Sequence, residues 1–383
     1  MAQALVNPRS LKAARARAGL STAVLAERLK QAETKIEKWE SGDARPTFVQ
    51  ARRLATVLRA PFASLFTDPG AVTPVELPDL RTVGGREVHR HFSIDLVEVY
   101  QDAVFKQGWV ADERRDESPP LVFVGAGRAE RKPEIGAAAL RTLLGLDTQT
   151  RQSCPQADDL LRLLIRRAEA AGVLVLRSST VGSNTHRPLD VAEFRGFAIS
   201  DSHAPLVFIN TADAKVAQVF TFIHELAHLW RAETGVSRPD IEHSHRVHTE
   251  AEEFCDAVAA ECLVPAEDLA PMWSESASLA SNADSLRRRF KVSGLVVARR
   301  GRDLGLATQK EYAAYVAEQM RRPPKNTSDS GPSFLVMVRL RNGNVITDMV
   351  VHGIRSGRLL YRDAGMLLGV YPPIIDKLAA GGG

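Results

Sequence analysis

The chain has 383 residues, of which 44% are hydrophobic and 25% are charged, and its net charge is +4. This is an ordinary globular composition, and the length predicts two or three domains. No apolar run approaches the eighteen residues of a membrane helix, and the N-terminal residues lack a secretory pattern. Three cysteines without a C-x-x-C pair exclude a disulfide framework, so we expect a cytoplasmic protein with no membrane contact.

The charge is unevenly distributed along the chain. Residues 1–67 carry twelve Lys or Arg against five Asp or Glu, a net charge of +7, which leaves −3 for the rest. A basic module beside a slightly acidic body is typical of a protein in which one part meets nucleic acid.

The first 66 residues predict a run of short helices, interrupted by glycine and proline. Two of these helices, over residues 21–30 and 32–40, are joined by a turn near Gln31. Five apolar or small side chains would pack them together: Val24, Ala26, Leu29, Ile36 and Trp39. This spacing predicts a helix-turn-helix.

Residues 8–66 resemble the XRE family of helix-turn-helix regulators, notably over Ile36 to Gly42 and in the following Arg45-Pro-Thr. The resemblance implies double-stranded DNA as a partner, with the second helix in the major groove. It also implies the DNA contacts, which are Glu33, Thr34, Lys35, Lys38 and Arg45. The family often has glycine where Lys30 stands. A dimerisation or protein-docking module is the alternative, and a symmetric DNA site would suggest a homodimer.

Beyond a predicted linker at residues 68–74, the chain alternates between helices and short strands. Strands are predicted at 173–176, 197–199 and 206–210, and helices at 94–115, 157–171, 213–230, 249–262, 284–300 and 308–320. A Pro/Gly-rich segment at 322–332 predicts a second linker.

The helix predicted at 213–230 contains His224-Glu225-Leu-Ala-His228. Residues four apart share a helical face, so both imidazoles can bind one ion while Glu225 projects beside them. Two neutral imidazoles and a carboxylate suit zinc and leave a fourth position for water, from which Glu225 can take a proton as general base. The pattern predicts one bound Zn²⁺.

The next helix supplies two carboxylates on one face, Glu252 and Asp256. Glu252 can complete the zinc ligands, whereas Asp256 can hold the second ring nitrogen of a ligand histidine. Three histidines just before this helix, His243, His245 and His248, are alternative ligands, the electrophile that stabilises the oxyanion, or solvated loop residues. We expect Cys255 and Cys262 to be small core residues.

Several segments between Gly196 and Pro265 resemble the ImmA/IrrE family of HExxH metallopeptidases, above all Phe220 to His228 and the Glu252-x-x-x-Asp256 helix. The resemblance implies a gluzincin-like core. It also implies that strand 206–210 is an edge strand that pairs with an extended peptide substrate, which makes Phe208 and Asn210 substrate-strand residues.

Two β-rich segments at 334–341 and 344–351 flank Asn342-Gly343, which predicts a β-hairpin followed by two short helices. We therefore predict a mainly α fold with a small β-sheet (α+β). The predicted domains are a five-helix module at 1–67, a metallopeptidase domain at 75–321 and a small C-terminal domain at 333–383.

The predicted function is a DNA-binding regulator whose zinc endopeptidase domain cleaves a partner regulatory protein. The alternatives are a non-catalytic zinc-containing transcription factor that senses a ligand or partner, and an antitoxin-like interaction protein.

Overall fold

The structure is a computed structural model that describes residues 3–18, 20–58, 60, 62–68, 92–237, 250–321 and 333–380. These residues divide into two compact units, one within residues 1–100 and one from Gln101 onward. Most of the described chain is helical and one small mixed sheet is present, so the predicted α+β class is confirmed. Within the described ranges, no helix is long and apolar enough to cross a membrane.

The first unit is a cluster of short helices around one apolar core. Asn7 and Ser21 begin two of the helices by accepting hydrogen bonds from backbone N–H groups of the first turn. The elements are α1 (Pro8–Arg17), α2 (Thr22–Leu29), α3 (Glu33–Ser41), α4 (Phe48–Leu58) and a 3-10 helix (Phe62–Leu65), and α5 (Ile94–Arg115) begins in this unit. Ala26, Leu29, Ile36 and Trp39 are buried in the core, as predicted, but the prediction for Val24 is wrong, because Val24 is exposed and the adjacent Leu25 is buried instead.

The turn between α2 and α3 contains a residue other than glycine in the left-handed conformation. Lys30 ends α2 with φ 54° and ψ 48°, and its N–H donates to the carbonyls of the last turn. The left-handed region costs an L-residue about 1–2 kcal/mol, which explains why glycine is favoured at such positions. Lys30 thus adopts the left-handed conformation at the position where the family often has glycine.

The second unit surrounds a four-stranded sheet with helices. Its strands are β1 (Leu174–Ser178), β4 (Gly196–Ile199), β5 (Leu206–Asn210) and β6 (Gly235–Ser237), with a separate hairpin of β2 (Thr180–Val181) and β3 (Asn184–Pro188). Its helices up to residue 321 are α6 (Pro133–Leu144), α7 (Thr148–Ser153), α8 (Ala157–Ala170), α9 (Lys215–Trp230), α10 (Glu250–Leu263), α11 (Ala266–Leu269), a 3-10 helix (Ala270–Met272), α12 (Leu279–Phe290), α13 (Gly294–Asp303) and α14 (Gln309–Arg321).

The strand order is β1-β5-β4-β6, with β1 parallel to β5 and the other pairs antiparallel. The prediction that strand 206–210 lies at the edge is wrong, because β5 is hydrogen-bonded to β1 on one side and to β4 on the other. A strand paired on both sides has no free N–H and C=O groups for a peptide substrate. The sheet packs against α9 in a core that α6, α8 and α10 complete.

The segment predicted as one helix over 284–300 is two helices. Lys291 adopts φ 57° and ends α12, and Ser293 begins α13 by accepting a hydrogen bond from the N–H of Val296. The break reorients the chain within this segment, so the two helices pack against each other.

The C-terminal segment is entirely helical where it is described, so the predicted hairpin at Asn342-Gly343 is wrong. The helices are α15 (Phe334–Asn342), α16 (Asn344–Arg355), α17 (Tyr361–Leu368) and α18 (Pro372–Ala379). The buried residues of α15, which are Val338, Arg341 and Asn342, follow helical spacing. Tertiary packing thus overrides the strand propensity of this sequence, since α15 packs on β1.

Gly343 separates α15 from α16 at a close contact with the sheet. Its φ is 72° and its ψ is 156°, a region that is essentially restricted to glycine. A Cβ atom there would lie 2.7 Å from the carbonyl oxygen of Val175 in β1. The Asn-Gly pair therefore serves a helix junction rather than a hairpin turn.

Candidate metal centre

The centre is built on α9, which is buried along most of its length. Its sequence Val-Phe-Thr-Phe-Ile before His224 and Leu-Trp after His228 places apolar side chains against the sheet and neighbouring helices. The side-chain amide of Gln218 donates to the carbonyl oxygen of Asp213 at 2.7 Å, which holds the start of the helix. Because the apolar side chains bury this helix, His224, Glu225 and His228 at its centre are also buried.

Three side chains meet there in a compact triangle. The Nε2 atoms of His224 and His228 are 3.0 Å apart. The Glu252 carboxylate, carried by α10, places its oxygens 3.4 Å from His224 Nε2 and 3.5 Å from His228 Nε2. All three residues are at least 95% buried, and together they form a group that could hold a metal ion.

These separations fit a tetrahedral ion. Zinc bonds to nitrogen and oxygen of about 2.0–2.1 Å, at tetrahedral angles, place ligand atoms about 3.4 Å apart. Burial lowers the pKa of His228, which favours the neutral imidazole that a metal requires, whereas Asp256 and Glu252 outweigh burial and raise the pKa of His224. The donor set therefore matches zinc in both chemistry and spacing.

Glu225 lies beside this triangle and is fully buried. Burial raises its pKa to about 8, although the nearby side chains of His224 and Ser237 lower it. With that pKa the group is mainly neutral near pH 7, because its ionisation in the core would cost several kcal/mol. A dication on the adjacent triangle would offset that cost, which is a second reason to place one there.

Both ligand histidines contact a carboxylate through their other ring nitrogen. Asp256 Oδ1 lies 2.9 Å from His224 Nδ1, and Glu233 Oε2 lies 3.1 Å from His228 Nδ1. Such contacts fix the tautomer and the ring orientation of a metal ligand. The Asp256 contact matches the predicted role, whereas Glu233 follows α9 in a non-helical segment and carries no periodicity that could have identified it.

Arg299 extends this arrangement. Arg299 is carried by α13, and its Nη1 atom donates a hydrogen bond to Asp256 Oδ2 at 3.0 Å. Together with His224, it holds the pKa of Asp256 well below its usual range despite burial. Sequence reasoning missed this residue because the two helices are distant in the chain and only the fold brings them together.

Gly196 at the start of β4 allows α9 to approach the sheet. A Cβ atom at this position would lie 2.9 Å from Glu225 Oε1, 2.7 Å from Thr221 Cγ2 and 2.8 Å from the backbone oxygen of Phe208. Any side chain here would displace the carboxylate or the helix. The absence of a side chain at Gly196 therefore helps to determine the position of Glu225.

A cavity of about 370 Å³ opens onto the triangle. His224, Glu252 and Asp256 line it on one side. Other lining residues come from α9, α13 and α14, and neither His228 nor Glu225 is among them. A substrate could reach the centre by this route.

The other predicted site residues have different positions. Phe208 stacks on Phe197 with ring centroids 4.8 Å apart, and the Asn210 amide donates to the carbonyl oxygen of Phe194. Both are buried in the sheet, so the prediction that they contact substrate is wrong. Cys255 and Cys262 are free and buried, and His243, His245 and His248 lie outside the described residues.

In the first unit, the residues predicted to contact DNA lie on or just after α3. Glu33, Thr34, Lys38 and Arg45 are exposed, whereas Lys35 is half-buried. Two of them have side-chain partners within the unit. Thr22 donates to the Glu33 carboxylate at 2.6 Å, and Lys35 donates to the Gln31 side chain at 2.7 Å. The remaining exposed side chains are available for a ligand of this helix.

Comparison with known families agrees with these two sites. Residues 9–64 match the family model of a Helix-turn-helix domain. Residues 168–301 match the model of a peptidase family described as the IrrE N-terminal-like domain. The chain carries an IrrE-like peptidase domain behind a helix-turn-helix domain. The matched region contains α9, α10, most of α13 and the whole four-stranded sheet.

A third match covers residues 342–381, which correspond to a Domain of unknown function (DUF8813). No curated protein matches the chain. The helix α14 lies between the second and third matched regions and belongs to neither.

Proposed function

We propose that this protein is a DNA-binding transcriptional regulator whose zinc-dependent endopeptidase domain cleaves a partner regulatory protein. The observation that carries the proposal is the buried triangle of His224, His228 and Glu252 with the fully buried Glu225 carboxyl group beside it. A structural zinc site needs no such carboxylate, whereas a hydrolytic site needs a base next to the ion.

In this proposal, His224, His228 and Glu252 hold one zinc ion, which when bound polarises a peptide carbonyl and lowers the pKa of water. Glu225 accepts the proton of the attacking water and delivers it to the leaving amine. Asp256 and Glu233 keep the imidazoles of the two histidines oriented.

The proposed domain boundaries remain 1–67, 75–321 and 333–383. In the N-terminal domain, α3 is the element proposed to enter the major groove, with Glu33, Thr34, Lys35 and Lys38 towards the bases and Arg45 towards a phosphate. The support is the family match, the exposure of four of these five side chains and the net charge of +7 on residues 1–67. A DNA target would place the protein in the cytoplasm, with a homodimer expected at a symmetric site.

The Glu225→Gln substitution tests the catalytic part of the proposal. It preserves side-chain size and the three zinc ligands but removes the base, so we expect zinc to be retained and cleavage to fall by at least about a hundredfold. The measurement is mass spectrometry of new protein N-termini in cells that produce the wild type or the variant.

The control is Glu253→Gln, which changes an exposed carboxylate of α10 next to a ligand. It should leave the new N-termini unchanged. Equal cleavage by wild type and Glu225→Gln would rule out the mechanism. Unchanged gene regulation by Glu225→Gln, together with its loss in a zinc-free His228→Ala variant, would favour the sensor function instead.

A further inference from the structure

The C-terminal helices α17 and α18 are joined by a turn that repeats the geometry of the turn between α2 and α3. Each first helix has eight residues and ends just before a left-handed residue, with φ 54° and ψ 48° at Lys30 and φ 62° and ψ 39° at Gly369. In both cases the second helix begins three residues later, at Glu33 and at Pro372. Two helices joined by a short turn of this kind form a helix-turn-helix.

The buried side chains of the two helix pairs also occupy the same positions relative to the left-handed residue. The positions five and one residues before it, and six and nine residues after it, are buried in both pairs. They are Leu25, Leu29, Ile36 and Trp39 in the first unit, and Ala364, Leu368, Ile375 and Leu378 in the C-terminal segment. The C-terminal pair therefore shares the packing of the N-terminal pair as well as its backbone.

Contacts on one side of α18 hold it in place. The helix α16 packs on both α17 and α18, and Arg355 of α16 donates to the carbonyl oxygen of Ala379. The hydroxyl of Tyr361, the first residue of α17, donates to the Asp376 carboxylate at 2.7 Å. Thr22, the first residue of α2, makes the equivalent contact with a carboxylate of α3. The buried residues of α18, Ile375 and Leu378, lie on one face, which leaves the other face open.

The same turn occurs elsewhere in the second unit, but there the protein covers the second helix. Gly145 and Lys291 are left-handed, and α7 and α13 follow them. The buried Arg151 of α7 contacts Asp268, and α13 lines the cavity at the metal centre. The turn alone therefore does not indicate a binding site. An open second helix is the feature that α3 and α18 share.

The open face of α18 carries side chains that suit a DNA groove. Tyr371, just before the helix, is 83% exposed. Asp376 and Lys377 are exposed at the positions that Glu37 and Lys38 occupy on α3. The start of the second helix in a DNA-binding helix-turn-helix contacts base edges, where apolar groups pack against thymine methyl groups. Tyr371 is thus placed for a base edge and Lys377 for a phosphate.

The charge of the C-terminal segment is complementary to DNA. Residues 333–383 carry six Lys or Arg against three Asp, a net charge of +3. Because residues 1–67 carry +7 and the whole chain +4, residues 68–332 carry −6. The two segments with an open helix-turn-helix are therefore basic, whereas the segment with the metal centre is acidic. A basic surface is attracted to the phosphate backbone.

We propose that α17 and α18 form a second helix-turn-helix that binds double-stranded DNA, with α18 in the major groove. Residues 342–381 match a domain of unknown function, which assigns no ligand to these helices. The inference goes beyond the proposed function, which places one DNA-binding helix near the other end of the chain. Each chain thus carries two DNA-binding helices.

Photocrosslinking of the full-length protein tests the position of α18. Tyr371 is replaced by the photoreactive amino acid p-benzoylphenylalanine, and the protein is irradiated with a labelled duplex of random sequence. We expect at least about tenfold more DNA to be attached at Tyr371 than at Phe334, a control position of α15 that is 50% exposed. The same replacement at Thr34 reports on α3 separately.

The Lys377→Ala substitution tests the phosphate contact. It should reduce the slope of log affinity against log salt by about one, as measured by fluorescence anisotropy with the same duplex. The control is Lys310→Ala, which removes an exposed lysine of α14 and should leave the slope unchanged. A repeat of both measurements in a Lys38→Ala and Arg45→Ala background prevents binding by α3 from masking the effect.

Equal crosslinking at Tyr371 and Phe334 would overturn the inference, as would equal slopes for the Lys377→Ala and Lys310→Ala proteins. Crosslinking of Tyr371 to protein instead of DNA would also overturn it and would identify a protein-docking surface. Failure of the proposed DNA contact of α3 looks different. In that case the duplex would crosslink at Tyr371 but not at Thr34.

Discussion

The position of the Glu225 carboxylate depends on the absence of a side chain at Gly196, which packs against it. The carboxylate occupies space that is open because residue 196 has no side chain, and the nearby Phe208 oxygen belongs to the backbone of a central strand. A backbone atom of a paired strand cannot move aside as the end of a side chain can. The base is therefore held by the sheet as well as by its own helix.

The Gly196→Ala substitution should accordingly impair activity and stability while the zinc ligands remain. Overpacking of this kind costs about 1–3 kcal/mol, and displacement of Glu225 should reduce cleavage at least about tenfold. Urea unfolding and metal analysis measure the two effects. Gly108→Ala is the matched control, since no atom lies within 4 Å of its added Cβ and alanine favours helix. A Gly196→Ala protein with wild-type stability and activity would contradict this account.

At the scale of single elements, the turn between α2 and α3 stores backbone strain at Lys30. Lys30→Gly should raise the free energy of unfolding of the first unit by about 0.5–1 kcal/mol, because relief of the left-handed strain exceeds the entropy cost of glycine. Thermal unfolding measures the effect. The same substitution at Lys12, an exposed position inside α1, should instead destabilise by about 1 kcal/mol. Destabilisation by both substitutions would show that the turn is unstrained.

The sequence predicted the elements that carry strong local signals. The extents of α5, α9, α10 and α14 agree with the predicted helices to within a few residues, because apolar periodicity and Pro265 mark them. The pairing of Glu252 with the two histidines could be anticipated because all three lie on helical faces. The helix extents and the spacing of His224 and His228 depend on residues that are near one another in the chain.

The errors concern relations between distant segments. Strand 206–210 could not be recognised as central, because its neighbours β1 and β4 are identified only by pairing. The segment around Asn342-Gly343 has strand-like residues, but its contact with β1 selects helices. Glu233 and Arg299 were missed for the same reason, since their importance comes from side chains that the fold brings to them.

At the scale of the whole molecule, the proposed DNA-binding and peptidase activities lie in segments of different net charge. The basic excess lies within residues 1–67, and the metal centre lies in the second unit, so each activity can be altered by substitutions that leave the other intact.

Substitution of Arg45 tests the DNA-binding half of this division. Removal of one phosphate contact should weaken binding to random-sequence duplex DNA and reduce the slope of log affinity against log salt by about one. Fluorescence anisotropy over a salt series provides the measurement. Arg115→Ala, which removes an exposed arginine of α5 outside the first unit, should leave the slope unchanged. Identical slopes for wild type and Arg45→Ala would exclude this contact.

The claim on which the account most depends is that His224, His228 and Glu252 bind zinc. Elemental analysis of the purified full-length protein tests it directly, with wild type, Glu225→Gln and His228→Ala prepared side by side. The account predicts about one zinc ion per chain in wild type and Glu225→Gln, and a loss of most of that zinc in His228→Ala. Retention of the full zinc content by His228→Ala, or a wild-type protein that binds no zinc after reconstitution, would contradict it.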